Sequence, residues 1–286
     1  MKILRVFPRR TNATPTDEMA LVGEPGLWRP DADEVHVSVT FTWDLPAGRR
    51  LAKSWARYYP VVKLGGPALD DAGGPFVRGR YMKPGNVITS RGCPNRCPRC
   101  FVPEREGGIR TLPIVAGSVV HDNNLLACPP DHINAVFGML GREPQRPVFA
   151  GGLESRLVTL DIARCIAALK AWAFLAYDTP ADKDSVEAAA RLLLHTDKRP
   201  RSAHWLSCYV LVGYEGDTIP DAAARLEWVK SLDVTPLAMY YLPKDAKSRT
   251  APPDWAPFVR AWARPSSVWA KKSQNPVDTP CPVRTL

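Results

Sequence analysis

Cys93-Pro94-Asn95-Arg96-Cys97-Pro98-Arg99-Cys100 sets three cysteines at the spacing C-x3-C-x2-C, on what reads as a loop just after a short β-strand. Three thiolates can hold three irons of a four-iron cluster and leave the fourth iron open to a ligand. Closed electron-transfer clusters use four cysteines, and structural zinc sites fill all four positions. The stretch therefore reads as the loop of a reactive 4Fe-4S cluster, with Cys93, Cys97 and Cys100 as ligands. The competing reading is a zinc knuckle or three unrelated thiols. Zinc sites more often pair cysteines in two short-spaced halves, and no second pair is visible.

Outward from this loop the chain alternates strand and helix patterns. From about residue 86 the strand candidates are 86–90, 118–123, 147–150, 171–177, 205–212 and 234–242, with helical stretches at 130–140, 157–169, 182–194 and 217–231. Repeated βα units favour a parallel sheet with helices outside, so the expected fold class is α/β. Residues 1–85 read as a separate small α/β region. It has strand candidates at 3–7, 35–41 and 61–64, a helix over 46–58 with Leu51, Trp55 and Tyr58 on one side, and a Gly65-Gly66-Pro67 turn. Residues 246–286 read as a C-terminal helical segment and tail. Trp255, Phe258, Val259, Trp262 and Trp269 are expected to dock there as core rather than to stack nucleobases.

The cysteine loop, preceded by Thr89-Ser90-Arg91-Gly92 and followed by Phe101-Val102-Pro103, resembles that of the radical S-adenosylmethionine (radical SAM) enzymes. The resemblance implies a partial (β/α)6 barrel over 86–245. It also implies a cluster whose open iron chelates the amino and carboxylate groups of S-adenosylmethionine, cleaved by one electron to a 5′-deoxyadenosyl radical. An electron donor such as a flavodoxin or ferredoxin is implied with it. One departure is Arg99, where the family usually has an aromatic residue that bears on the adenine contact. Residues 1–85 are loosely similar to the end of the cobalamin-binding-type domain of one subgroup, but the Asp-x-His-x-x-Gly motif is missing. This region is expected to be a truncated relative that binds no cobalamin, with His36 structural and Gly65-Gly66 too isolated to be a phosphate loop.

In a βα barrel the chemistry gathers where strands end. The second strand candidate ends in His121-Asp122-Asn123-Asn124, where an acid and two amides suit an ammonium group. The third ends in Gly151-Gly152-Leu153-Glu154, which resembles the family's Gly-Gly-Glu amino-group motif with one residue inserted and one strand late. The two clusters compete for one role, and strand counting favours Asp122 over Glu154. Asp178 could bond ribose hydroxyls or cap the next helix, and the apolar run into Val212-Gly213 resembles the adenine-binding strand, with Asp217 or Thr218 as the following N-cap. Cys128 and Cys208 read mainly as buried apolar side chains. The sequence singles out no catalytic residue.

Composition bounds the remaining possibilities. The 286 residues are 45% hydrophobic and 23% charged, ordinary for a globular chain with a full core. The first twenty residues carry no continuous apolar segment and no run approaches the roughly 18 apolar residues that cross a bilayer, so neither a secretion signal nor a membrane partner is expected. Four scattered cysteines besides the triplet, among them Cys165 and Cys281, do not form a disulfide framework, and a cytoplasmic location is expected. The formal charge of +9 would suit nucleic acid, yet the basic residues fall in dispersed short pairs such as Arg9-Arg10, Arg49-Arg50, Lys198-Arg199 with Arg201, and Lys271-Lys272. The substrate is unidentified, with nucleic acid as one candidate class. The alternatives to an unspecified radical SAM enzyme are a nucleic-acid-modifying methyl or methylthio transferase and a zinc-binding nucleic-acid recognition module.

Overall fold

Leu4 and Val6, Val35 and Val37, and Val62 and Leu64 sit at alternate positions, so as strands they turn one apolar face to a common core. The computed structural model, which describes residues 1–70, 74–200, 204–246, 248–264 and 268–269, builds that face. Arg201, Lys271-Lys272, Cys281 and the tail expected after Gln274 lie outside the described residues. Strands β1 (Ile3–Phe7), β2 (Ala20–Val22) and β3 (Glu34–Ser38), helix α1 (Leu45–Trp55) and strand β4 (Val62–Gly65) follow in order, and the sheet runs β2-β1-β3-β4, all parallel. Only β2 lacked a sequence signal. Helix α1 carries Pro46 in its first turn, where a missing N–H costs nothing, and lays Leu51 and Trp55, one helical turn apart, on the apolar face. Gly48 permits this approach, because a Cβ there would lie 2.4 Å from Val39 Cγ2.

The rest of the chain repeats a strand-helix unit. Strand β5 (Asn86–Val87) is followed by β6 (Ser90–Arg91), α2 (Val102–Glu106) and β7 (Arg110–Thr111), then by β8 (Val119–Val120), α3 (Pro130–Leu140), β9 (Val148–Phe149), α4 (Leu160–Ala168) and β10 (Ala173–Tyr177). Helix α5 (Lys183–Thr196), β11 (Leu206–Val212), α6 (Ile219–Ser231), β12 (Thr235–Tyr240) and α7 (Ala256–Ala261) complete it. Two parallel sheets result, β5-β8-β9 and β10-β11-β12, joined by bridges from Val148 to Trp172 and from Leu153 to Leu175. Six parallel strands thus lie side by side in chain order, and the fold is mixed α/β. The second apolar core runs beneath them, from Val87 through Leu175 to Val210.

Threonines set several helix boundaries. The Thr159 and Thr218 hydroxyls accept from Ile162 N and Asp221 N, and Thr179 with Asp182 closes a capping box ahead of α5. Trp255 and Trp262 are buried against β12, where Ala238 N donates to Trp262 O at 3.1 Å, in line with core packing. Two members of the basic pairs are likewise structural. Arg9 is paired to the buried Asp44, and Arg199 binds Asp197 while lying over Trp205. Among the described residues no helix is long and apolar enough to cross a membrane.

Candidate metal and cofactor site

Residues 92–109 form a closed excursion after β5, held at its neck by the antiparallel β6–β7 pair. Cys93 N donates to Gly107 O at 3.1 Å, and Cys100 N donates to Cys97 O at 3.1 Å. At the entry Gly92 has φ +79°, and its N–H donates to Asn123 Oδ1 at 3.0 Å and to Glu106 Oε2 at 3.3 Å. Glu106 is buried at the neck between Arg91 and Arg105. A Cβ on Gly92 would sit 2.1 Å from Gly108 O. We expect Gly92→Ala to cost about 3 kcal/mol or more, from left-handed strain plus a backbone clash. A chemical denaturation midpoint equal to that of the parent would refute this.

This excursion meets the C-terminal ends of five successive strands. After β8, the Asn124 amide donates to Cys93 Sγ at 3.4 Å and to Glu154 Oε2 at 2.6 Å. After β9, Glu154 also accepts from Asn95 of the loop at 2.7 Å and from Arg156 at 2.8 Å. After β10, Asp178 stands near enough to Cys97 and Cys100 to act on both thiols. Burial is the largest cause raising the pKa of both thiols; the neighbouring thiols and Asp178 add to it. Asp178 is itself raised, by burial first and then by Asp182. After β11, Tyr214 lies under Arg99, whose guanidinium carbon is 4.1 Å from the ring centroid. After β12, Lys244 bridges Glu104 of α2 and Asp70, tying the loop's far side to the N-terminal region.

Not every predicted residue faces this loop. Strand counting put Asp122 nearest the thiols, but its buried carboxylate turns back to accept from Thr89 N at 2.6 Å, Thr89 Oγ1 at 2.5 Å and Ser90 Oγ at 2.7 Å. Asn123 pins Gly92. Gly151 and Gly152 deliver Glu154 rather than exposing backbone: a Cβ on Gly151 would lie 2.0 Å from Asp122 O, and Gly152 takes φ +86°. The backbone expected to meet adenine is paired internally, with Tyr241 N donating to Val212 O at 2.8 Å and Gly213 N donating to Asp217 Oδ2 at 2.7 Å. Gly213 is required because a Cβ there would lie 2.0 Å from the Tyr240 ring. The N-cap of α6 is Thr218, and Asp217 instead holds Gly213 and Arg225. Cys128 and Cys208 are buried, and burial raises both thiols.

Sequence reading missed Asn95, Glu106 and Tyr214. Only the first carried a signal, its place between two cysteines. No family model matches the chain, and no curated protein matches it.

Among the described residues no three His, Cys, Asp or Glu side chains are gathered as they would be around a bound metal ion. The donor set nonetheless fits an iron–sulfur cluster in kind. The loop offers three soft thiols, one already accepting an N–H of the sort that tunes cluster sulfurs. Beside them Asn124 Oδ1 is buried without a partner among the described residues, an acceptor ready for a ligand's N–H.

Proposed function

We propose that this chain is a radical S-adenosylmethionine enzyme acting on an unidentified substrate, with its six ordered strands forming a partial (β/α)6 barrel. One observation carries the reading: the C-x3-C-x2-C loop lies against the C-terminal ends of successive parallel strands, where βα folds place their chemistry. Cys93, Cys97 and Cys100 would hold three irons of a 4Fe-4S cluster. Such a cluster, when bound, supplies the electron that cleaves S-adenosylmethionine, drawn from a donor such as a flavodoxin or ferredoxin. Glu154 and Asn124 Oδ1 are the acceptors for the methionine ammonium. Asp178 suits the ribose hydroxyls, since Thr179 and Asp182 already cap the helical segment that follows. The Arg99–Tyr214 pair offers adenine the flat surface that an aromatic residue before Cys100 supplies in the family.

Anaerobic reconstitution tests the reading. We expect about four irons and four sulfides per chain, and 5′-deoxyadenosine from S-adenosylmethionine under reducing conditions. One zinc per chain without sulfide would sink the proposal and favour a zinc-binding nucleic-acid module instead. The proposal does not extend to cobalt chemistry. Titration with hydroxocobalamin should give no stoichiometric complex, and a tight one would bring methyl transfer back as the leading activity.

A further inference from the structure

Parallel sheets are normally covered on both faces and apolar on both. The N-terminal sheet breaks that rule on one side. Registered across β1, β3 and β4, Arg5, His36 and Lys63 form one row, and Ser38 lies beside Gly65, all on the face opposite α1. This polar face is nevertheless roofed. Arg5 is buried, donating to Gly79 O and Arg80 O at 2.9 Å each, and Tyr81 bonds His36 Nδ1 at 2.5 Å. Polar side chains under a roof leave a space instead of a core, and a cavity of about 760 Å³ opens there, walled on its far side by Ile88, Arg91 and His121. It adjoins the ends of β1 and β3, between which the strand order reverses, the place where open α/β sheets bind ligands.

The wall has a definite chemistry. Four cationic side chains, Arg9, Lys63, Arg80 and Arg91, line it; Arg9 is paired to Asp44, the one carboxylate of the wall, Lys63 to Glu34 and Arg91 to Glu106 at 3.8 Å, which leaves Arg80 as the cation with no ion pair among the described residues. The Nε groups of Arg9 and Arg91 are buried without partners among the described residues. Phe7, Phe41, Phe76 and Tyr81 supply flat apolar surface. No α-helix begins after β4, only a 3₁₀ turn at Pro67–Leu69, and the N-terminus of α1 beside the cavity carries the Asp44 carboxylate at its N-cap, so an anion there would be recognised by side-chain cations and not by a helix terminus. The volume falls within the roughly 300–1,000 Å³ of small-molecule sites.

We propose that this cavity is a second small-molecule site, taking a small organic anion with a flat apolar body. It stands independently of the cluster. Gly65 gives a clean probe: it lines the cavity, has no neighbour within 4 Å of a built Cβ and needs no positive φ, so Gly65→Phe adds a ring to the open space without a clash at the backbone. Isothermal titration of the full chain with 1-naphthyl phosphate should show one site, with 1-naphthol and inorganic phosphate each bound at least tenfold more weakly. Gly65→Phe should lower that affinity tenfold or more at an unchanged melting temperature. Arg80→Met, at an exposed position, should lower it severalfold, and it decides the matter if Gly65→Phe melts early. Absence of saturable 1-naphthyl phosphate binding would overturn the proposal. So would naphthol binding equally well, or parent affinity in the variant that decides.

Discussion

Cys97→Ala, like Cys93→Ala and Cys100→Ala, is expected to abolish both the brown absorbance of the reconstituted protein and all cleavage of S-adenosylmethionine. A site-open cluster has three protein ligands and no spare, so removing one leaves an iron without a thiolate. The described chain offers no substitute nearby. Cys128 and Cys208 are buried in the core, where burial holds their thiols protonated, and Cys165 belongs to α4. Cys165→Ala and Cys281→Ala should leave the iron content at the parent level, which separates loss of a ligand from loss of the fold. An intact, active cluster in Cys97→Ala would remove the basis of the proposed function.

The second large effect separates two carboxylates that the sequence left in competition. Asp122→Ala should destabilise the chain by about 3 kcal/mol or more, because it strands buried donors on Thr89 and Ser90 at about 1–3 kcal/mol each. Glu154→Ala should instead cost S-adenosylmethionine affinity, about 1.5–3 kcal/mol for a lost charge-assisted bond, or roughly ten- to a hundredfold in the dissociation constant. The measurements are a denaturant midpoint and a binding titration on cluster-loaded protein. Strand order alone predicts the reverse ranking. A residue's rank along the row of strands says which strand end it occupies, not which way its side chain turns. Were Asp122→Ala to fold like the parent and lose more affinity than Glu154→Ala, Asp122 would be the contact.

Much of the architecture was legible in the residues. Val35-His36-Val37-Ser38 alternates, Leu51 and Trp55 share one helical face, and the four helices from α3 to α6 lie close to their apolar periodicities, because period and burial are local properties of a chain. The three-residue β2 carried no pattern, since so short a strand is made by its neighbour β1 and not by its own sequence. The spacing of Cys93, Cys97 and Cys100 likewise marked a candidate metal loop without any coordinates.

What only the tertiary structure decided is which groups share that loop's surroundings. Glu154 reaches Asn95 and Asn124 across about sixty and thirty residues of chain because Gly151 and Gly152 let β9 close on β8. Arg99, read in the sequence as a departure, lies over Tyr214 from another strand end. The alternation of β3 was visible in its residues, but whether the polar side of β1, β3 and β4 met water or a roofed cavity depended on where the segment from Phe76 to Met82 returned. Periodicity tells a residue which face it occupies; only long-range packing determines what stands opposite that face.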